Sequence, residues 1–183
     1  MFPRFLIFMV VAILSWPGMA DDLRIPAYTA YMLPDPESAR MSEAAGVVRW
    51  VDPGQTVNWY GHFQRLGALT VKLDLKLPVG VRSHLKLTVD GQSHEATIMG
   101  AGEEAVASAD FGEYQLHTAG YHRIALESIN EPGMPIGKIV ELRLGGASVV
   151  DAYERTWTSF PGQTVSRRNW LGHYSTFLNN KNV

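Results

Sequence analysis

Apolar and polar residues alternate with a period of two through most of the middle of the chain. The clearest case is TVKLDLKL at residues 70–77, and the same period recurs at 84–89, 111–116, 122–126 and 140–144. This alternation predicts β-strands with one buried face and one face in water. Glycine, proline or asparagine bounds each of these segments, as expected for short strands joined by turns.

Turn signals join these segments to further strands. The Asp-Gly dipeptide at 90–91 is typical of a two-residue hairpin loop and leads into a polar strand at about 93–99. An Asp-Pro-Gly turn at 52–54 joins two aromatic-rich strands at 47–51 and 56–63. The chain is therefore expected to contain about nine strands.

Helical patterns are weak throughout the sequence. The best candidate, residues 37–45, would supply a turn or two at most, which excludes a parallel α/β architecture. Many short antiparallel strands favour two packed sheets. We predict an all-β fold, an antiparallel two-sheet β-sandwich of the jelly-roll, galactose-binding-like type.

The first 20 residues have the pattern of a signal peptide. Arg4 precedes an apolar run at 5–14, and Gly18 and Ala20 frame a small-x-small cleavage site. The run is ten residues long, whereas a spanning helix needs roughly 20. We predict cleavage after Ala20, a secreted or periplasmic location, and no membrane attachment afterwards.

The rest of the chain divides at Trp157. Residues 21–157 are predicted to form the β-sandwich domain. Residues 158–183 lose the alternation and end in a polar run, so they are expected to be an irregular tail or the stub of a second domain.

Composition narrows the functional classes. The 183 residues include no cysteine and carry a net charge of −2. The lack of cysteine excludes thiol catalysis and thiolate metal sites, and in an exported chain it favours a bacterial source. Nucleic acid is a poor partner, because phosphate binding needs clustered positive charge.

Catalytic and metal-binding motifs are lacking in the sequence. Nucleophile elbows, zinc-protease motifs and phosphate-binding loops are absent, and the six histidines are scattered. We predict no catalytic residue, no cofactor and no metal ligand. One alternative stays open: a structural calcium ion at a sandwich edge, with Glu43 and Glu141 as the first oxygens to check.

Aromatic residues give the best binding signal. Four of them crowd into 14 residues around the turn at 52–54, with polar side chains between them: Trp50, Trp59, Tyr60 and Phe63. A sugar site needs a flat apolar plate and nearby hydrogen-bonding groups. The predicted ligand-binding residues are Trp50, Asp52, Gln55, Asn58, Trp59, Tyr60 and, as a second choice, Trp157. Against this, alternating strands bury about half of any aromatic set, so one or both of Trp50 and Trp59 are expected to pack in the core.

A resemblance covers residues 27–146. The runs SEAAGVVRWVDPGQTVNWYGHFQRLGALTVKLDLKLP, LKLTVDG, FGEYQLHTAGYHRIALE and IVELRLGG resemble the carbohydrate-binding sandwich domain at the N-terminus of certain secreted bacterial proteins. More distantly, they are similar to galactose-binding-like jelly rolls and the carbohydrate-binding modules of glycosidases. The resemblance implies a sandwich that binds sugar. In that family a larger domain of unknown function follows, whereas here only a short segment follows residue 146.

Three hypotheses follow from the sequence. The first is an exported, non-catalytic module that binds glycan or polysaccharide through exposed aromatics and polar loop residues. The second, from another class, is a structural or protein-interaction sandwich whose partner is another envelope protein. The third, an enzyme or part of one, would need two carboxylates in a cleft within roughly 5 to 10 Å of each other.

Overall fold

The computed structural model describes residues 22–35, 39–42, 46–48, 50, 52 and 54–149. Eleven strands lie within these residues: β1 Leu23–Pro26, β2 Tyr31–Leu33, β3 Arg40–Ser42, β4 Gly46–Val48, β5 Thr56–Phe63, β6 Gly67–Leu77, β7 Arg82–Val89, β8 Gln92–Met99, β9 Gly102–Leu116, β10 Gly120–Ser128 and β11 Lys138–Gly145. Two short 3₁₀ turns, Ala27–Thr29 and Ala147–Val149, complete the described elements.

The strands form two antiparallel sheets. Sheet A has the order β3-β4-β11-β6-β9, and β1 also pairs with β11. Sheet B has the order β2-β5-β10-β7-β8. The predicted antiparallel two-sheet sandwich is thereby confirmed. The additional strands are mostly short ones near the N-terminus, whose three or four residues are too few to show an alternating pattern.

The core lies between the inner faces of the two sheets. Every second residue of β6 from Leu69 to Leu77 is fully buried, as the alternation predicted. Sheet B supplies the opposite layer, which consists of Val57, Trp59 and Phe63 from β5, Leu85, Leu87 and Val89 from β7, and Ile124 and Leu126 from β10. Each large apolar side chain buried there contributes on the order of 1.5–3 kcal/mol.

The hairpin between β7 and β8 has the predicted Asp-Gly turn. Asp90 and Gly91 both have positive φ angles, 49° and 78°. Two successive positive φ angles match the right-handed twist of the flanking strands, which is why this dipeptide suits a two-residue loop. The turn places Asp90 at one end of sheet B.

Side chains of β8 cover part of the open edge of β9. The Gln92 amide donates to the carbonyl of Gln115 at 2.8 Å and accepts from its N–H at 3.0 Å. His94 Nδ1 lies 2.6 Å from the carbonyl oxygen of Phe111, and its ring stacks on Tyr114 at 4.5 Å. Burial raises the pKa of Tyr114, whose hydroxyl donates to the carbonyl of Leu87. The two sheets are thus joined along this side.

The predicted domain limits stay predictions. The proposed signal peptide at 1–20 and the proposed tail at 158–183, with Trp157, lie outside the described residues. Among the residues that the structure describes, no helix is long and apolar enough to cross a membrane.

Candidate functional site

The outer surface of sheet B carries a group of aromatic and polar side chains that we call the tyrosine face. Its members are Asn58, Tyr60 and His62 on β5 and Tyr121 and Arg123 on β10. Register pairs Tyr121 with His62 and Arg123 with Tyr60 across the two strands. Because side chains alternate along a strand, these residues point away from the core that their neighbours fill.

Tyr121 is the most exposed aromatic residue of this face. Its side chain is 60% exposed, and its ring meets His62 edge to face at 4.8 Å. Tyr60, which is half-buried, meets Tyr31 edge to face at 6.2 Å. Such edge-to-face contacts hold the rings in place and leave part of the Tyr121 ring open to solvent. The face therefore offers a fixed aromatic surface.

Asn58 anchors the polar part of the face. It is fully buried, and its amide donates to Thr56 Oγ1 at 2.8 Å and to the Thr56 carbonyl at 3.0 Å. Its side-chain oxygen accepts from Arg123 Nε at 2.7 Å. The guanidinium of Arg123 is thereby held beside Tyr60 by a side chain that cannot move away.

A shallow groove of about 320 Å³ continues the face toward β7. It is lined by Thr88, Asp90, Gly91, Arg123, Ala125 and Glu127. Lys86 Nζ lies 2.6 Å from Glu127, and this hydrogen bond raises the pKa of Lys86. Across the hairpin, Thr88 and Ser93 share a hydrogen bond of 2.7 Å. The groove thus presents charged groups of both signs beside apolar surface.

The sequence-predicted cluster is divided by the structure. Asn58 and Tyr60 lie on the tyrosine face, whereas Asp52 and Gln55 belong to the loop before β5. Asp52 is exposed, and its carboxylate accepts from the N–H of Gly54 at 2.8 Å. Gln55 is buried and accepts from the N–H of Asp35. A ligand role for these loop residues, and for Trp157, stays a prediction.

Both predicted tryptophans of the cluster are core residues. Trp59 is 0% exposed and Trp50 is 2% exposed. Trp59 occupies an inward position of β5, and the Trp50 indole N–H donates to the carbonyls of Asp52 and Gln55 at 3.1 Å. The expectation that one or both of them pack in the core is therefore confirmed for both, and neither has an open ring face on which a sugar could stack. The indole of Trp50 instead stabilises the loop before β5 through these two hydrogen bonds.

The face also includes residues that sequence reasoning did not select. Tyr121 and Arg123 come from β10, about 60 positions after their β5 partners in the register. The alternation at 122–126 was visible, and it implies that Tyr121 and Arg123 face outward. Pairing between β5 and β10 was not visible, because distant strand register leaves no local signal.

A second groove lies where β7 begins and the loop after β10 passes. It has a volume of about 460 Å³ and is lined by Arg82, His84, Ile129, Asn130, Glu131 and Met134. The Asn130 side chain fixes this loop by accepting from the N–H of His84 at 2.6 Å and donating to Ser83 Oγ at 3.1 Å. Ile129 and Met134 are exposed there. We call this the loop-end groove.

Two carboxylates meet on the outer surface of sheet A. Asp74 and Glu141 are register partners on β6 and β11. Arg143 Nη2 donates to Asp74 at 2.8 Å, and Arg24 donates to Glu141 at 2.9 Å. Burial raises the pKa of Glu141, Arg24 opposes this shift, and the Asp74 charge adds to it. Neither carboxylate lines the groove beside β7 or the loop-end groove.

The next question is whether the described residues include a set of side chains that could bind a metal ion. No three histidine, aspartate or glutamate side chains cluster there in a way that could hold an ion. Of the two calcium candidates, Glu43 lies outside the described residues, and Glu141 is paired with Arg24.

The fold is similar to solved carbohydrate-binding modules. A family 35 carbohydrate-binding module from Clostridium thermocellum matches with a TM-score of 0.56 and 14% identity, over 70% of this chain and 100% of the module. The carbohydrate-binding module CBM36, solved with calcium and xylotriose, matches with a TM-score of 0.52 and 12% identity, over 67% of this chain and 98% of that one.

One similar structure is part of an enzyme. An exo-β-1,3-galactanase from Phanerochaete chrysosporium, solved with β-1,3-galactotriose, gives a TM-score of 0.54 and 16% identity over 68% of this chain. The match spans only 29% of the galactanase chain. At these identities the likeness defines the class of fold, a jelly-roll β-sandwich.

The sequence family is more specific. Residues 25–149 match the family DUF5077, described as a domain of unknown function, and the chain belongs to that family. A comparison with curated proteins gives no match.

Proposed function

We propose that this protein is an exported, non-catalytic carbohydrate-binding module that holds glycan on the tyrosine face. The observation that carries the proposal is the exposed Tyr121 ring, fixed against His62 and two positions from the anchored Arg123. An open aromatic ring beside fixed hydrogen-bonding groups is the combination that a sugar needs. The similarity of the fold to carbohydrate-binding modules supports the same proposal.

The face suits a chain of sugars better than a single small molecule. It is an open sheet surface that continues into the shallow groove beside β7. One sugar would stack its C–H surface on Tyr121, and its hydroxyls would bond to Arg123, His62 and the Tyr60 hydroxyl. The next sugars would lie along the groove, where Thr88 and Glu127 provide further polar contacts.

A non-catalytic role is supported by the position of the acidic residues. In the described structure, the carboxylates that line the groove beside β7 already have partners, since Glu127 contacts Lys86 and Asp90 contacts His122. The Asp74 and Glu141 pair lies on the other sheet.

The test is a binding screen of the exported chain against immobilised polysaccharides, followed by calorimetry with those that bind. Tyr121→Ala should weaken binding at least about tenfold, which corresponds to roughly 1.4 kcal/mol. Val106→Ser, an exposed change on β9 of sheet A, is the matched control and should bind as the unchanged protein does. Equal binding by the two variants would remove the tyrosine face from the proposal.

A second candidate, a protein-interaction sandwich, is favoured by one observation. The loop-end groove and its surroundings expose Met99, Ile129 and Met134, and Arg82 Nε lies 3.3 Å from the Met99 sulfur. Exposed apolar side chains grouped around a groove are typical of protein contacts. If no glycan binds, cross-linking in cell envelopes with a photoreactive residue at Met134, and with one at Val106 as control, would test this candidate.

Export itself rests on the N-terminal pattern of Arg4, the apolar run and Ala20. Mass spectrometry of the protein produced in a bacterial host should find an N-terminus at Asp21. A mature protein that retains Met1 or Phe2 would contradict export through this signal.

A further inference from the structure

Arg123 differs from the other charged groups around the tyrosine face because it has no anionic partner among the described residues. Its one hydrogen bond there runs from Nε to the neutral amide of Asn58. No ion pair within the described residues includes it. A cation held in place without a counter-charge attracts an anionic ligand more strongly than one whose charge is already compensated.

The acidic residues nearest to Arg123 along the groove are occupied by other partners. Glu127 lies 2.6 Å from Lys86. Asp90 lies 2.7 Å from His122 Nδ1, and His122 Nε2 in turn lies 3.0 Å from the Thr118 carbonyl. Each of these two carboxylates contacts a residue of another strand, and neither forms an ion pair with Arg123.

The buried side chain of Asn58 fixes the orientation of the Arg123 guanidinium. Asn58 is fully buried and makes its own bonds to Thr56, so it cannot follow a moving guanidinium. With Nε held, the two Nη groups are left in a fixed plane. This is the planar pair of donors that binds a carboxylate or sulfate through two parallel hydrogen bonds. Because the group is already ordered, less conformational entropy is lost on binding.

Resting on the proposed function above, we propose that Arg123 makes the tyrosine face selective for glycans that carry an anionic group, a carboxylate or a sulfate ester. Tyr121 and Arg123 are two positions apart on one strand face, about 6.7 Å along the strand. That spacing lets one sugar ring stack on Tyr121 while its own anionic group reaches Arg123. Asn58 is the positioning residue for this contact.

Calorimetry with matched pairs of oligosaccharides tests the proposal. One pair is oligogalacturonides and the same chains after carboxyl reduction, and the other is a sulfated galactan fragment and its desulfated form. The unchanged protein should bind at least one anionic form about tenfold more tightly than its neutral counterpart. Which pair shows the preference identifies the anionic group as carboxylate or sulfate.

Variants assign the preference to Arg123. Arg123→Gln should bind anionic and neutral forms equally, and the salt dependence of its affinity should largely disappear. Glutamine keeps an N–H that can donate to Asn58, so the fold is retained. Arg123→Lys keeps the charge without the planar donors and should recover part of the preference. Arg82→Gln, which removes an exposed arginine at the other end of sheet B, should keep the full preference.

The contrary outcomes are distinct from one another. Equal binding of anionic and neutral forms by the unchanged protein, with loss of both in Tyr121→Ala, would overturn the anion preference and leave glycan binding standing. An anion preference that survives in Arg123→Gln would overturn the role of Arg123. If no glycan of either kind binds, the proposed function itself fails, and this inference fails with it.

Discussion

The outer surfaces of the two sheets differ in how they use charge. On sheet A, cations and carboxylates pair across neighbouring strands, as in Arg143 with Asp74 at 2.8 Å, Lys76 with Glu104 at 2.9 Å and Lys72 with Asp110 at 3.8 Å. On the tyrosine face, aromatic rings replace most charges, and Arg123 bonds to an amide. Two sheets with the same alternation thus have outer surfaces of different chemistry. The charged groups of sheet A pair with one another, whereas the tyrosine face keeps the exposed ring of Tyr121 and an arginine that forms no ion pair with the described residues.

The largest effect on stability is expected from the inner, buried face of sheet B. Trp59→Ala should lower the free energy of unfolding by about 3–5 kcal/mol, because it leaves a cavity in the core. Tyr121→Ala, at an exposed position of β10, should cost less than about 1 kcal/mol. Urea denaturation measures both. Similar losses would mean that Tyr121 is a structural residue and that the two sides of sheet B are not functionally distinct.

The next effect concerns the paired surface of sheet A. Asp74→Ala removes the carboxylate that both Arg143 and Ser108 contact. The guanidinium of Arg143, which is largely buried, then lacks this acceptor and keeps its bond to Ser108. We expect a loss of about 2–3 kcal/mol by denaturation. Lys72→Ala breaks an exposed pair with Asp110 on the same surface and should cost no more than about 0.5 kcal/mol. Equal costs would show that burial does not set the value of these pairs.

A smaller effect is expected at the hairpin that borders the tyrosine face. Gly91→Ala places a side chain at a φ of 78°, where a Cβ meets no neighbouring atom within 4 Å. The loss should therefore be conformational only, about 1 kcal/mol. Gly80→Ala, with φ 79° and the same open surroundings, is the matched control at another turn and should cost about as much. A much larger loss at Gly91 alone would indicate that the turn also holds Asp90 against His122.

The smallest effect is a pH dependence on sheet A. Burial raises the pKa of Glu141 from 4.5, so in this region of pH the folded state binds more protons than the unfolded state. The contribution of Glu141 to stability therefore falls as pH rises through this range and is recovered below its unfolded pKa. Glu141→Gln should remove that component. Thermal melts between pH 4 and 7 measure this effect. The Tm of the unchanged protein minus the Tm of the variant should become smaller or more negative as pH rises. If this value instead grows with pH, the raised pKa of Glu141 is contradicted.

Local patterns predicted the long strands well, and they did so for a physical reason. The alternation from Leu69 to Leu77 follows directly from burying one side of a strand, and the Asp90-Gly91 turn follows from φ requirements. The site was only partly predictable. Asn58 and Tyr60 were selected from their neighbourhood in sequence, but the inward position of Trp59 and the arrival of Tyr121 and Arg123 depend on strand pairing over a long separation. Short β1 and β2 were missed because three or four residues do not complete a pattern.

The side chains of Gln92 and His94 have a consequence for behaviour at high concentration. They bond to backbone groups of β9 at Phe111 and Gln115, which an edge strand would otherwise offer to another chain. A strand edge capped in this way is a poor template for the addition of a strand from a neighbouring molecule. Crowded copies of the domain are therefore protected along this stretch against growth into extended intermolecular sheets, the usual route from an all-β protein to insoluble fibres.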